Sequence, residues 1–181
     1  MRVSETGLVA YLLLFASIAT GTILSSPRVR SRPDVRPWAS RAHELLSLAG
    51  LLAAVIHTLA GVVSPQRVRW ALLLFLGPGG GAGLASGTAS VYAMILVTVT
   101  FYLRGRIGSP LWRWIHALAY PAFAAAAWHG VVLGANAWLP AIRWLYAGTV
   151  ATAGLLACAR ITDALLGPPL RRGPSTAGPR A

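Results

Sequence analysis

The chain has 181 residues, of which 56% are apolar and only 11% charged, and its formal net charge is +12. A water-soluble surface carries far more charge than this, so the composition excludes an ordinary soluble domain and points to a membrane protein. All of the positive charge is arginine and lies between apolar runs rather than on one face of a soluble fold, which argues against a nucleic-acid partner.

A helix needs about 20 residues to span a hydrocarbon core, and five segments are long enough. The first runs from about Gly7 to Ser26, GLVAYLLLFASIATGTILSS. Its apolar stretch is long and its positive charge follows rather than precedes it, so it reads as a retained helix and not as a cleaved signal peptide. The second runs from about Ala42 to Val63 and the third from about Leu84 to Leu103. Between them, RWALLLFL (Arg69 to Leu76) is too short to span and is expected at the membrane interface, with GPGGGAG following as a flexible link. The fourth covers about Trp114 to Leu133 and the fifth about Ala141 to Ile161. The final stretch, GPPLRRGPSTAGPRA, is rich in proline and glycine and is expected to have no fixed structure. The expected architecture is therefore an all-α, polytopic bundle of about five transmembrane helices over residues 1–166, followed by a cytoplasmic tail over 167–181. Cys158 is the sole cysteine, so no internal disulfide is possible.

Arginine bias sets the expected orientation. Arg28, Arg30, Arg32, Arg36 and Arg41 follow the first segment, Arg104, Arg106 and Arg113 join the third to the fourth, and Arg160, Arg171, Arg172 and Arg180 end the chain. The opposite side holds only Arg2, Arg67, Arg69 and Arg143. Twelve against four places the N-terminus outside and the C-terminus in the cytoplasm; the expected location is the plasma (inner) membrane. Trp38, Trp70, Trp112, Trp114, Trp138 and Trp144 fall near segment ends, at headgroup depth, whereas Trp128 sits inside the fourth segment beside His129.

The four histidines are the chemically informative residues. His43 and His57 lie in the second segment, and His116 and His129 in the fourth. An ionisable side chain inside a spanning helix is costly and marks function by default. His43 and His57 are 14 residues apart and His116 and His129 are 13 apart, which is about 20 Å along a helix in both cases. The second and fourth segments run in the same direction. His43 and His116 therefore share the cytoplasmic depth, and His57 and His129 share the outer depth. A zinc site wants three or four ligands, and neither depth offers them. A haem takes only two axial ligands from the protein, so two bis-histidine haems account for all four residues. An interhelical hydrogen-bonding role and a proton relay are the competing uses. One angular difficulty stands out. Fourteen residues return to within ~40° of the starting face, but 13 leave the second ring ~140° away on an ideal helix. Pro121, between His116 and His129, is expected to distort that helix. The Ala124–Ala127 run leaves room for a flat macrocycle and equally permits close helix packing.

The stretch LRGRIGSPLWRWIHALAYPAFAAAAWHGVVLG, with its W-R-x-I-H-x-L-x-Y-P-A-F…W-H-G core and the 14- and 13-residue histidine spacings, resembles the ferric reductase-like transmembrane domain family. That family includes the membrane parts of ferric reductases and NADPH oxidases, and its relatives include the haem subunit of bacterial methionine sulfoxide reductase systems. The resemblance covers about Gly7 to Ile161. It implies two b-type haems, held by His43 with His116 and by His57 with His129, and electron flow from a cytoplasmic donor to an acceptor outside. The five segments compare with six helices in the eukaryotic oxidases, as though the first were lost. GPGGGAG neither follows a strand nor opens a βαβ unit, so it is no dinucleotide fingerprint. The chain is expected to have no flavin or nicotinamide site, and the donor to be another chain, a cytoplasmic flavoprotein or other reductase. Arg41 and Arg113, two and three residues before the cytoplasmic-side histidines, are candidates to face that haem's propionates. Arg67 and Arg69 are candidates outside. Two further functions remain open: a haem subunit serving methionine sulfoxide repair, and a haem-free membrane scaffold or transporter subunit.

Overall fold

The computed structural model describes residues 3–64, 67–68 and 81–166. The expected interfacial stretch Arg69–Leu76, most of the glycine-rich link and the 167–181 tail lie outside the described residues, as do the side chains of Arg67 and Arg69. The described elements are α1 (Val3–Ser25), α2 (Pro27–Arg30), α3 (Arg36–Val62), β1 (Val63–Ser64), β2 (Arg67–Val68), α4 (Gly81–Ile107), α5 (Ser109–Ala117), α6 (Ala119–Leu133) and α7 (Pro140–Leu166). The two strands form a minimal antiparallel pair, Val63 opposite Val68 and Ser64 opposite Arg67, at the end of α3.

Local chemistry explains the breaks. Ser26 caps α2 by accepting from the Val29 amide at 3.4 Å, and Pro27 occupies the first helical position, where its missing N–H costs nothing. Arg32 then meets Asp34 at 3.2 Å on the surface, and its guanidinium holds the Asp34 carboxyl below the usual range. After α4, Gly108 takes φ +82°, a conformation that side chains disfavour, and turns the chain into α5. Pro140 opens α7.

Four helices are long and apolar enough to cross a membrane: Glu5–Ser25, Arg36–Gly61, Gly81–Ile107 and Pro140–Asp163. By length and composition this is a multi-pass membrane protein. The fourth expected span is not one helix. It is divided into α5 and α6 at Leu118. Pro121 has no N–H to offer the Ala117 carbonyl one turn earlier, and the helix yields there. The Leu118 amide tightens onto the Ile115 carbonyl at 3.0 Å, and the Leu118 carbonyl accepts from Ala122 at 3.0 Å. The ideal-helix angle between His116 and His129 therefore does not apply.

α1 is the most buried of the four spans, packing chiefly on α3 and also on α6 and α7, while α4 packs on α6 and α5. Tyr11, Leu14 and Ile18 of α1 meet Met94 of α4, Phe123 and Ala127 of α6, and Tyr146 of α7 in the core. Large apolar side chains such as Leu52, Ile56, Leu155 and Leu165 face outward, as a bundle surrounded by lipid requires. Trp38, Trp114, Trp138 and Trp144 are all more than 70% exposed, consistent with an aromatic belt.

Buried hydroxyls are satisfied internally. Thr22, Thr100 and Thr149 donate to the carbonyls of Ile18, Leu96 and Leu145, four residues earlier. Others join helices: Ser17 to Ser47, Thr22 to Tyr120, and Tyr11 to Thr149. The last pair ties α1 to α7 deep in the core. Tyr11→Phe keeps the ring stacked on Phe123 but removes that bond. The expected cost is about 0.6–1 kcal/mol, read as a lower unfolding midpoint in detergent.

Candidate functional site

α3 carries His43 and His57 two bundle levels apart, α5 carries His116, and α6 carries His129. The structure brings them together in the expected combination. The ring centres of His43 and His116 are 6.1 Å apart at an interplanar angle of 81°. Those of His57 and His129 are 6.0 Å apart at 78°. The first pair lies at the end of the bundle that carries Arg36, Arg41, Arg104, Arg106 and Arg113, and the second lies at the opposite end.

These separations discriminate between uses. A ring nitrogen lies about 1.1 Å from its ring centre, so the nitrogens of a pair stay at least about 3.8 Å apart, beyond hydrogen-bond reach. A direct interhelical hydrogen bond between the paired imidazoles is thereby excluded. Two imidazole bonds of about 2 Å each to one metal atom span about 4 Å, which that minimum allows. Among the described residues there is no group of three or more His, Cys, Asp and Glu able to hold a metal ion. Each level thus supplies two ring-nitrogen ligands among the described residues.

The hydrogen bonds fix which nitrogen is available. His43 Nδ1 lies 2.9 Å from the Ser17 carbonyl, and His129 Nδ1 lies 2.8 Å from the Gly83 carbonyl. A carbonyl only accepts, so each Nδ1 carries a proton, and Nε2 is the ring nitrogen left to meet a ligand. Metal-ligating histidines typically show this anchoring, which orients the ring and raises its basicity. His57 Nδ1 lies 3.3 Å from Thr6 Oγ1. One residue of each pair is therefore anchored to backbone through Nδ1, which leaves Nε2 to face a ligand.

Glycines make the anchoring possible, although composition gives no sign of their role. A Cβ on Gly21 would fall 2.7 Å from the His43 ring, and one on Gly7 would fall 2.8 Å from the His57 ring. On Gly87 it would collide with the ring of His129. In two cases the accepting carbonyl belongs to the residue four positions before the glycine, Ser17 before Gly21 and Gly83 before Gly87. The bare helix surface lets the imidazole lie against the backbone and reach that oxygen. Gly7 and Gly21 are 14 residues apart on α1, the same spacing as His57 and His43 on the antiparallel α3. That matched period was the available signal.

A cavity of about 380 Å³ opens at the His57–His129 pair, walled by residues such as Gly7, Ala54, Gly87, Val91, Ala126 and Gly130. Small and apolar walls suit a flat, apolar ligand. Arg41 and Arg113 are both exposed near the other pair. The ring separations, the anchored Nδ1 atoms and the glycine walls at both levels, and the cavity at the outer one, are compatible with a haem. Comparisons with protein-family models, with curated proteins and with solved structures find nothing that matches this chain.

Proposed function

We propose that the chain is a transmembrane electron conduit of the ferric reductase-like kind, holding two b-type haems, one between His43 and His116 and one between His57 and His129. The observation that carries this reading is the repeated gap of 6.0–6.1 Å between imidazole centres at two levels of one bundle. A haem held by the two imidazoles of each pair would supply one-electron exchange rather than substrate binding.

The chain's own residues set the conditions for it. The Ser17 and Gly83 carbonyls hold the ligand tautomers, and the glycines keep the rings against the helix backbones. Small and mostly apolar residues wall the outer site. With the arginine-rich end in the cytoplasm and the N-terminus outside, the His43–His116 level faces a separate donor, a flavoprotein or other reductase. The His57–His129 level faces an acceptor beyond the plasma (inner) membrane. Arg41 and Arg113 supply positive charge at the donor side.

A vesicle experiment tests the function. The haem-loaded chain is reconstituted into sealed vesicles containing ferricyanide, and a membrane-impermeant reductant is added outside. Trapped ferricyanide is expected to bleach with the wild-type chain. His43→Ala and His57→Ala are each expected to cut the rate at least tenfold, on the order of a lost relay site. Equal rates in the variants, or in vesicles without protein, would contradict the proposal.

A further inference from the structure

Two buried ring nitrogens at the His43–His116 level have no hydrogen-bond partner among the described residues: Trp112 Nε1, which is an N–H, and His116 Nδ1. They sit one helical turn apart on α5, with ring centres 5.0 Å apart at 31°. The contrast with the other histidines is sharp. The Nδ1 atoms of His43, His57 and His129 lie beside the Ser17 carbonyl, Thr6 Oγ1 and the Gly83 carbonyl, respectively. Buried N–H groups are seldom left unpaired, and two neighbours in that state mark a place where an acceptor arrives with a ligand.

The donors define that ligand's chemistry. An indole offers only an N–H, and a histidine bound to metal through Nε2 offers only its Nδ1–H. The rim therefore takes a group that accepts and does not donate. Its surroundings favour a negative one. Trp112 lies four residues nearer than His116 to the arginine-rich end. Its ring is 6.2 Å from Phe101, on whose face the Arg104 guanidinium rests at 4.1 Å. Arg41 and Arg113, the candidates by position, are both exposed, whereas the Trp112 nitrogen is buried.

Resting on the haem reading above, we infer that Trp112 Nε1 donates to a carboxylate of the porphyrin at the His43–His116 level, with His116 Nδ1 reaching the same acceptor through a water. Trp112 is then a binding residue that fixes the inner haem's polar edge. The outer level has no such pair of donors among the described residues, so the two sites differ in their demand for a porphyrin acid.

The test compares haem with haem dimethyl ester, which lacks free carboxylates. The full chain is titrated in detergent and read by absorbance. Wild type is expected to prefer the acid at one of its two sites by about tenfold or more, the scale of one charge-assisted hydrogen bond. Trp112→Phe keeps the ring against Phe101 and His116 and is expected to bring that preference close to one, leaving the other site unchanged. Binding of neither porphyrin by wild type would overturn the haem reading itself. Binding of both, with Trp112→Phe as selective as wild type, would overturn this inference alone. Should Trp112→Phe fail to fold, the wild-type indole vibrations decide. The Trp112 N–H band is expected to shift on loading with haem and not with the ester, and an identical response to both would overturn the inference.

Discussion

Replacing His57 by alanine is expected to reduce the haem content of the purified chain from about two per molecule to about one, with the remaining haem keeping its low-spin spectrum. The substitution removes one of the two imidazoles facing each other across 6.0 Å and leaves His129 without a partner. The inner pair is insulated from the change. His43 and His57 are 14 residues apart on one continuous helix, about 21 Å, well beyond the range at which substitutions usually couple. His43 also keeps its own anchor on the Ser17 carbonyl. Haem content is measured after alkaline pyridine extraction, alongside the absorbance spectrum of the intact protein. Loss of both haems in His57→Ala would contradict two independent sites. Retention of both would remove His57 from the ligand set.

The glycine substitutions carry the second large effect. Gly87→Leu is expected to abolish the outer haem, and Gly21→Leu the inner one, although neither residue is itself a ligand. A side chain at Gly87 enters the space of the His129 ring, and one at Gly21 enters that of His43. The ring must leave the backbone, lose its bond to the Gly83 or Ser17 carbonyl, and swing out of line with its partner. Losing the anchoring partner of a ligating histidine costs roughly 10–100-fold in metal affinity, and displacement of the ring adds to that loss. Gly148 supplies the control, because a Cβ there meets nothing within 4 Å. Gly148→Ala is expected to leave both haems in place. Haem content and circular dichroism of the three variants separate a blocked site from a collapsed fold. Full haem content in Gly87→Leu would contradict the account of how His129 is held.

Much of the bundle was legible because lipid imposes a simple rule. Each spanning segment must be long and apolar, and the runs near Gly7, Ala42, Leu84 and Ala141 meet that rule on their own. Their observed helices extend a few residues past the apolar cores, because polar ends such as Arg36–Ser40 and Arg104–Ile107 continue the helix into the interface. The histidine partners were legible for the same reason: equal spacing in two parallel segments places residues at equal depths. Facing was not legible. A 13-residue interval on an ideal helix separates His116 and His129 by ~140°, and the sequence could name Pro121 without saying how the chain yields. The structure places the break three residues earlier, at Leu118, so the two rings sit on separate helices and each finds its partner on α3.

The supporting residues were harder still. Ser17, Gly21, Gly83 and Gly87 act through a backbone oxygen and a missing side chain, and neither leaves a chemical signature in composition. Only the common 14-residue period of Gly7–Gly21 and His43–His57 hinted at them. Trp112 was read as one of the interfacial aromatics, yet its ring lies between His116 and Phe101 with its nitrogen buried.

The central claim is that each pair of imidazoles grips one iron. The most direct measurement is the haem content of the wild-type chain purified from haem-replete cells, with the electron paramagnetic resonance spectrum of its oxidised form. Two haems per chain, both low-spin with two nitrogen axial ligands, are the predicted result. A haem-free protein, or haem that is high-spin and singly ligated, would contradict it.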